Sequence, residues 1–340
     1  MDLAVCKAMI RTGSRTFYAA SIALPRPVRE PAYALYAFCR LADDVVDEED
    51  ASAGSVAMLR ARLDRVYAGD PLDHPVDRAL TDVVRRFGMP RPLLDALIEG
   101  LEWDTGGRRY DTLEDLYAYG ARVAGAVGAM MTVLMGRREA HVIARACDLG
   151  VAMQLTNIAR DVGEDARNGR LYLPRTWLRE VGIDPDAWLA EPQFDDRLAS
   201  VVQRLLDAAD RLYDCALCGI GDLPLACRPS IHAARLLYAE IGRELERLGR
   251  DSVSVRAVVP ARRKVWLLLR AMVDTVLADE RGHGPCLNEV RFLVDAVADG
   301  PLPPGFGEVP PSMASVDHQV GWVVDLFTRL EQAERVRLRT

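Results

Sequence analysis

The chain has 340 residues and a net charge of −7 at neutral pH. This length is enough for a large buried core, and the acidic balance argues against nucleic acid as a partner. Seven cysteines, an odd number, and a polar N-terminal stretch without a secretory signal predict reduced thiols and a cytoplasmic protein. No apolar run reaches the roughly 18 residues of a membrane-spanning helix, so the sequence leaves open only peripheral contact with a membrane.

Apolar residues recur with helical spacing along most of the chain, and prolines and glycines interrupt them. The pattern predicts an all-α protein of about ten helices. No strand followed by a GxGxxG turn is present, which argues against a Rossmann nucleotide site. Cys215 and Cys218 form a lone CxxC, which we interpret as packed core thiols rather than a zinc or redox site.

The first acidic motif lies in residues 36–50, YAFCRLADDVVDEED. On a helix its polar residues fall in one narrow stripe, and the rest of the helix surface is apolar. An ordinary surface helix has a wide polar face and a narrower apolar face, and here these widths are reversed. The pattern predicts a largely buried helix whose polar stripe faces an internal cavity. The stripe consists of Tyr36, Arg40, Asp43, Asp44 and Asp47.

The second acidic motif lies in residues 154–174, QLTNIARDVGEDARNGRLYLP. Its polar side chains again share one helix face. Gly169 is predicted to end this helix. The shared face carries Gln154, Asn157, Asp161 and Asp165.

Paired carboxylates on two helices favour a metal site. Residues at i and i+4 are neighbours on one helix face, and several carboxylates around an apolar cavity are costly without a cation. Mg²⁺, with Mn²⁺ as an alternative, prefers a few carboxylates together with waters and substrate phosphates. One DxxxD pair would indicate only a solvated surface, but two pairs, each with arginine nearby, predict a metal–diphosphate site. The diphosphate would also receive hydrogen bonds from Arg40, Arg160 and Arg170.

Both motifs and four further segments resemble the squalene/phytoene synthase family, in the order expected for that family. The further segments are GSRTFYAAS (13–21), EGLEWD (99–104), YGARVAGAVG (119–128) and VPARRK (259–264). The resemblance implies a single all-α domain with the class I isoprenoid synthase fold. It also implies a central cavity between the helices, with the two aspartate motifs on opposite walls.

The chain composition changes near its C-terminal end. Residues 299–312 contain five prolines and three glycines and predict an irregular linker. An amphipathic segment follows at 316–336. We therefore expect a prenyl-diphosphate condensing domain in residues 1–285, followed by a linker and a C-terminal helical extension in residues 286–340.

The resemblance implies roles for individual residues. It implies Mg²⁺–diphosphate binding by Asp43, Asp47, Asn157, Asp161 and Asp165. Substrate contacts are implied for Ser14, Thr16, Tyr36, Arg40, Gln154, Asn157, Arg160, Arg170 and Tyr238. The catalytic set is the four aspartates and Tyr119, which would lie near the reacting carbons, although a plain core role suits Tyr119 and Tyr238 equally well.

Two local features stand apart from these assignments. Many relatives have histidine where this chain has Gly13. The small residues of one predicted helix are explained equally well by a close helix crossing and by a groove for an isoprenoid tail. They are Ala124, Gly125, Gly128 and Ala129.

The activity that the resemblance implies is Mg²⁺-dependent, head-to-head condensation of two geranylgeranyl diphosphates. The reaction passes through prephytoene diphosphate to phytoene, the first committed step of carotenoid biosynthesis, and needs no NADPH. One alternative is dehydrosqualene or squalene synthesis from farnesyl diphosphate, and another is a non-catalytic helical assembly factor of the same fold. Contact with a membrane surface or with downstream carotenoid enzymes is a further expectation.

Overall fold

The computed structural model describes residues 2–13, 15–47, 53–276, 286–300 and 302. These residues form fifteen α-helices, one π-helical turn and two 3₁₀ turns, and none of them lies in a strand. The all-α prediction is confirmed. The helices outnumber the predicted ten because several have only six to eight residues, too short to show a periodic pattern of their own.

The N-terminal helices are α1 (Asp2–Gly13), α2 (Arg15–Ile22), α3 (Arg26–Asp47), α4 (Ala53–Ala68), α5 (Pro75–Phe87), α6 (Arg91–Thr105) and α7 (Leu113–Gly120). A π-helical turn, Ala121–Gly125, joins α7 to α8 (Ala126–Leu134). There follow α9 (Ala140–Arg167), α10 (Arg175–Glu180), α11 (Pro185–Ala190), α12 (Asp196–Ile220), α13 (Arg228–Arg247), α14 (Ala261–Val276) and α15 (Arg291–Ala298). The 3₁₀ turns are Leu225–Cys227 and Asn288–Val290.

Helix α9 lies at the centre of the packing. Of its 28 residues, 17 are buried. It contacts α7, α8, α12, α13 and α15. A helix covered on most of its circumference is expected to be apolar nearly all round, so a remaining polar stripe calls for a functional explanation.

Glycines allow α9 to cross the preceding helical segment closely. A Cβ on Gly128 would lie 2.3 Å from the backbone oxygen of Ala146, and one on Gly150 would lie 2.3 Å from that of Ala124. Real Cβ atoms do not approach backbone so closely, and both positions therefore require glycine. Of the two explanations for the small residues, the helix crossing is the one that these contacts support.

A capping box fixes the start of α7. The Thr112 hydroxyl accepts a hydrogen bond from the Asp115 backbone N–H, while the Asp115 carboxylate accepts from the Thr112 N–H. This reciprocal pair satisfies two backbone donors at the helix start. It sets the position of Tyr119, one turn further along, just before the π-helical turn. Such turns often mark functional sites.

Helix α15 lies beyond the predicted domain boundary but packs on the main core. Leu293, Val294 and Val297 are buried in the same apolar cluster as the helices before residue 276. The division at residue 285 stays a prediction. The linker after Leu302 and the segment 316–336 lie outside the described residues.

All seven cysteines are free thiols, as predicted. The interpretation of Cys215 and Cys218 as packed core thiols was wrong for Cys215, which is exposed, whereas Cys218 is half-buried. Both lie on α12 outside the face that packs into the core. A count of apolar residues does not reveal this, because cysteine counts as apolar whether it is buried or exposed. None of the described helices combines the length and the hydropathy that crossing a bilayer requires.

Candidate active site

The first acidic motif occupies the second half of α3 and shows the predicted polar stripe. Tyr36 and Asp43 are partly exposed and Arg40 is exposed, while Phe38 between them is fully buried. The Arg40 guanidinium lies 3.9 Å from Asp43 and 2.5 Å from Asp44. The exposure pattern confirms the stripe from Tyr36 to Asp44, whereas the side chain of Asp47 lies outside the description. That the stripe faces a large internal cavity stays a prediction.

Three predicted site residues fall outside what the structure describes. Ser14 lies outside the described residues altogether. Thr16 and Asp47 belong to α2 and α3, but their side chains lie outside the description. Their assigned roles stay predictions.

The second acidic motif occupies the last four turns of α9. The predicted stripe of Gln154, Asn157, Asp161 and Asp165 is partly exposed, whereas neighbouring positions such as Ile158 are buried. The periodicity thus placed all four side chains on the correct face. Of the 28 residues of α9, 17 are buried, and the four polar side chains of this stripe stay partly accessible.

The end of α9 brings Arg170 back toward Asp165. Gly169 has a left-handed φ of +71°. The Arg170 N–H donates to the Asp165 carbonyl at 2.9 Å and the Gly169 N–H donates to the Ala166 carbonyl at 2.9 Å. This pair of hydrogen bonds is a Schellman motif, so the predicted helix end is confirmed. A narrow cleft lies between this turn and α9, lined by Asp165, Arg170 and Tyr172 among others.

The second motif carries excess negative charge at Asp165. Burial raises the pKa of Asp165 to about 7, the Asp161 carboxylate adds to the rise, and Arg170 opposes it. Asp161 is better compensated because Arg160 donates to both of its oxygens, the Nε bond being 2.8 Å long. Burial and a neighbouring carboxylate both favour the neutral form of Asp165, and a nearby cation would favour its ionised form.

A second arginine reaches Asp161 from a distant part of the chain. Arg256 Nε lies 3.1 Å from Asp161, and its Nη1 lies 3.3 Å from Glu164. Arg256 belongs to the segment before α14, and sequence reasoning did not assign it to the site. The one available signal was its position three residues before the VPARRK segment.

Gly163 lets the Arg256 segment approach α9. Its N–H donates to the Ser252 carbonyl at 3.0 Å. A Cβ at this position would lie 2.5 Å from the Val253 carbonyl oxygen and 2.6 Å from its Cα. Glycine in the RDVGED stretch is therefore needed for the close backbone contact that positions Arg256.

Tyr238 belongs to an aromatic cluster with Phe17 and Tyr36. Burial raises the pKa of Tyr238 to about 12, with Arg160 opposing the rise and Tyr36 and Asp161 adding to it. Helix α13, which carries Tyr238, packs against both α2 and α9. The Phe17 ring centre lies 6.5 Å from that of Tyr36 and 5.5 Å from that of Tyr238. Phe17 on α2 therefore joins Tyr36 of the first motif to Tyr238 on α13, a helix that packs against the helix of the second motif.

Gly13 fits closely against this aromatic cluster. A Cβ at Gly13 would lie 2.5 Å from the Tyr36 hydroxyl oxygen. A side chain at this position would require Tyr36 to move. The absence of a side chain at Gly13 is thus matched by the placement of Tyr36.

A cluster of three tyrosine rings lies beside Asp104, with Tyr172 stacked on the other two rings. The rings of Tyr110, Tyr119 and Tyr172 have centre-to-centre distances of 5.2 to 5.8 Å. The hydroxyls of Tyr119 and Tyr172 each donate to a different oxygen of Asp104 at 2.8 Å. Burial raises the pKa of Tyr119 well above its ordinary value, with Asp104 adding to the rise. Asp104 is the last residue of the EGLEWD segment, and the sequence alone suggested no role for it.

The donor set around the second motif fits a hard divalent cation. No group of three or more His, Cys, Asp or Glu side chains within the described ranges could hold a metal by itself. Mg²⁺ needs only one or two carboxylates when waters and substrate phosphates complete its shell. Asp165, Asp161 and the amide oxygen of Asn157 offer such donors, and the raised pKa of Asp165 marks a place where a cation lowers the electrostatic cost.

The fold is that of the isoprenoid synthases. A solved dehydrosqualene synthase superposes with a TM-score of 0.74 at 32% identity, covering 80% of this chain and 95% of that one. The sequence matches the squalene/phytoene synthase family over residues 10–264, and the chain belongs to this family. It is a prenyltransferase-type enzyme that uses isoprenoid diphosphates.

Two curated relatives match over nearly the whole chain. The phytoene synthase of Cereibacter sphaeroides is 54% identical over 312 residues, which cover 87% of this chain and 88% of the relative. The phytoene synthase of Rhodobacter capsulatus is 51% identical over 316 residues, which cover 91% and 93%. The family match at residues 10–264 includes both acidic motifs, and the similarity to these relatives extends over a longer part of the chain.

Proposed function

We propose that this enzyme is a phytoene synthase that condenses two molecules of geranylgeranyl diphosphate head to head. The observation that carries the proposal is the pair of arginines, Arg160 and Arg256, that contact Asp161 in the second acidic motif. More than half of the aligned positions are identical to those of two phytoene synthases, and this similarity supports the choice of substrate.

The diphosphate groups are bound by arginines and metal together. Arg160, Arg170 and Arg256 lie around the second motif and provide planar donors for phosphate oxygens. Asp161, Asp165 and Asn157 would hold Mg²⁺ on α9, and Asp43 and Asp47 would do so on α3. A bound divalent cation neutralises charge that develops on a departing diphosphate.

The reaction involves two successive losses of diphosphate. Loss of diphosphate from one substrate gives an allylic cation, and the double bond of the second attacks it. Loss of a proton closes a cyclopropane and gives prephytoene diphosphate. A second loss of diphosphate, rearrangement and a second proton loss give phytoene, so no hydride donor is required. The net change is two diphosphates and two protons released per phytoene.

The tyrosine cluster is suited to the cationic stages. Aromatic faces attract cations through their quadrupoles. The Tyr119 ring stacks on Tyr172, and Tyr172 lies in the same narrow cleft as Asp165. Asp104 fixes both rings through their hydroxyls. We assign Tyr119 to the cation site on this basis, with Asp104 as its positioning residue.

The substrate is tested by product analysis with purified enzyme. Radiolabelled geranylgeranyl diphosphate and, separately, farnesyl diphosphate are supplied with Mg²⁺, each with and without NADPH. We expect phytoene from the first, far less product from the second, and no effect of NADPH. Preference for farnesyl diphosphate would make the enzyme a dehydrosqualene synthase, and a product that needs NADPH would make it a squalene synthase.

The same assay tests the non-catalytic alternative. An assembly factor would form no hydrocarbon from either substrate under any of these conditions. Mn²⁺ in place of Mg²⁺ is expected to support turnover, since both are hard cations with oxygen ligands. A cytoplasmic location and contact with downstream carotenoid enzymes remain predictions of the sequence.

A further inference from the structure

Helix α14 carries an apolar stripe that the described residues leave exposed. Trp266, Leu269 and Val273, spaced by three and four residues, are 47%, 43% and 56% exposed. The opposite face of the helix, with Leu267 and Ala271, is buried against α13. One apolar face of α14 therefore serves the core, and a second points away from it.

The exposed stripe continues into the segment before the helix. Val255 is 48% exposed and Val258 is 69% exposed. Single exposed apolar residues are ordinary on protein surfaces. Five of them within one stretch of chain instead mark an interaction surface. We call this surface the α14 face, defined by Val255, Val258, Trp266, Leu269 and Val273.

The α14 face is cationic in a protein whose net charge is −7. The only acidic residue in the stretch 255–276 is Asp274, whereas five residues are basic. The basic residues are Arg256, Arg262, Arg263, Lys264 and Arg270. Arg262 and Arg270 are exposed on the same side as the stripe.

Arginines frame the exposed tryptophan. The guanidinium carbons of Arg263 and Arg270 lie 4.6 Å and 5.7 Å from the centre of the Trp266 ring. Arg263 also pairs with Glu240, and Arg270 lies 3.5 Å from Asp274. Tryptophan bordered by arginine is the composition found where proteins meet the headgroup layer of a bilayer.

We propose that the α14 face docks on the surface of an anionic lipid bilayer. Leu269, Val273 and Val258 would enter the boundary between headgroups and acyl chains, while Arg262 and Arg270 bind lipid phosphates. A second copy of the chain fits less well, because a two-fold interface would bring the same arginines together. The face adjoins the active site, since Arg256, between Val255 and Val258, pairs with Asp161.

The test is flotation of the purified full-length chain with lipid vesicles. Vesicles of phosphatidylcholine alone are compared with vesicles that also contain phosphatidylglycerol. One variant combines Trp266→Ser with Leu269→Ser, and another combines Arg262→Glu with Arg270→Glu. Met58→Ser is the matched control, because Met58 on α4 is also 47% exposed but lies outside the face.

We expect the unmodified chain and Met58→Ser to float with the phosphatidylglycerol vesicles. The affinity of the double serine variant for these vesicles should be at least tenfold lower. The affinity of the double glutamate variant should fall by roughly fivefold for each arginine lost. Neither change touches the residues assigned to catalysis. All variants should therefore keep their far-ultraviolet circular dichroism and their turnover of detergent-dispersed substrate, which separates this proposal from the proposed function.

Three outcomes would overturn the proposal. The unmodified chain does not bind phosphatidylglycerol vesicles, or the double serine variant binds them as well as Met58→Ser does. The third outcome is that the unmodified chain does not bind vesicles but sediments as a dimer, whereas the double serine variant sediments as a monomer. The α14 face would then be a subunit interface.

Discussion

Substituting Gly163 by alanine should separate Arg256 from the second acidic motif. The new Cβ would lie 2.5 Å from the Val253 carbonyl oxygen, a backbone atom that cannot rotate away. The segment that carries Arg256 must shift outward. Overpacking of this kind costs about 1–3 kcal/mol of folding stability.

The shift should also reduce catalysis. Arg256 pairs with Asp161 and is placed to bind diphosphate, and a hydrogen bond to a charged group contributes about 1.5–3 kcal/mol. Its loss corresponds to a fall in kcat/KM of roughly 10- to 150-fold. Kinetics with geranylgeranyl diphosphate and thermal unfolding, measured on the same preparation, give the two effects separately.

Two further variants isolate the cause. Arg256→Leu should reproduce the kinetic loss with little loss of stability, because its side chain is 56% exposed and exposed ion pairs contribute little. Gly221→Ala is the control, since its Cβ would meet nothing within 4 Å. The reasoning is refuted if Gly163→Ala keeps both its melting temperature and its kcat/KM, or if Arg256→Leu turns over normally.

Three other changes test separate parts of the site and fold. Asp161→Asn should abolish product formation and leave the helical circular dichroism intact. The control Asp82→Asn, at an exposed position, should change neither measurement. An active Asp161→Asn enzyme would remove the metal assignment. Asp104→Asn should lower kcat more than it raises KM, because it weakens the hydrogen bonds that orient the tyrosines, and an unchanged kcat would refute that positioning role. His232 is buried, neither ring nitrogen has a hydrogen-bond partner among the described residues, and burial lowers its pKa from 6.5 to about 4. As the pH falls through this interval the unfolded chain takes up the proton first, so up to about 3 kcal/mol of stability is lost between pH 6.5 and 4. His232→Leu should flatten this acid limb in urea unfolding, and an identical limb would contradict it.

Local periodicity was sufficient to predict the two polar stripes. A helix repeats every 3.6 residues, so the positions of Tyr36, Arg40 and Asp43 on α3 follow from their spacing alone. The same holds for the stripe on α9. Gly169 was predictable because a glycine after a periodic helix commonly adopts the left-handed conformation that ends it.

Contacts between distant segments were not predictable in this way. Arg256 meets Asp161 because two backbones touch at Gly163, and nothing in the local pattern distinguishes this glycine from one tolerated in any helix. Asp104 receives hydroxyl groups from Tyr119 and Tyr172, which come from later segments brought together by packing. Such pairs depend on tertiary structure, and a pattern within one helix does not encode them.

We predict that both acidic motifs form one metal-dependent site for two prenyl diphosphates. Calorimetric titration with geranylgeranyl thiodiphosphate, an analogue that ionises slowly because sulfur replaces the bridging oxygen, measures this directly. We expect two molecules bound per chain with Mg²⁺, greatly weakened binding in a chelator, and the same weakening in Asp161→Asn. Binding that is equally tight without metal, or unaffected by Asp161→Asn, would contradict the account.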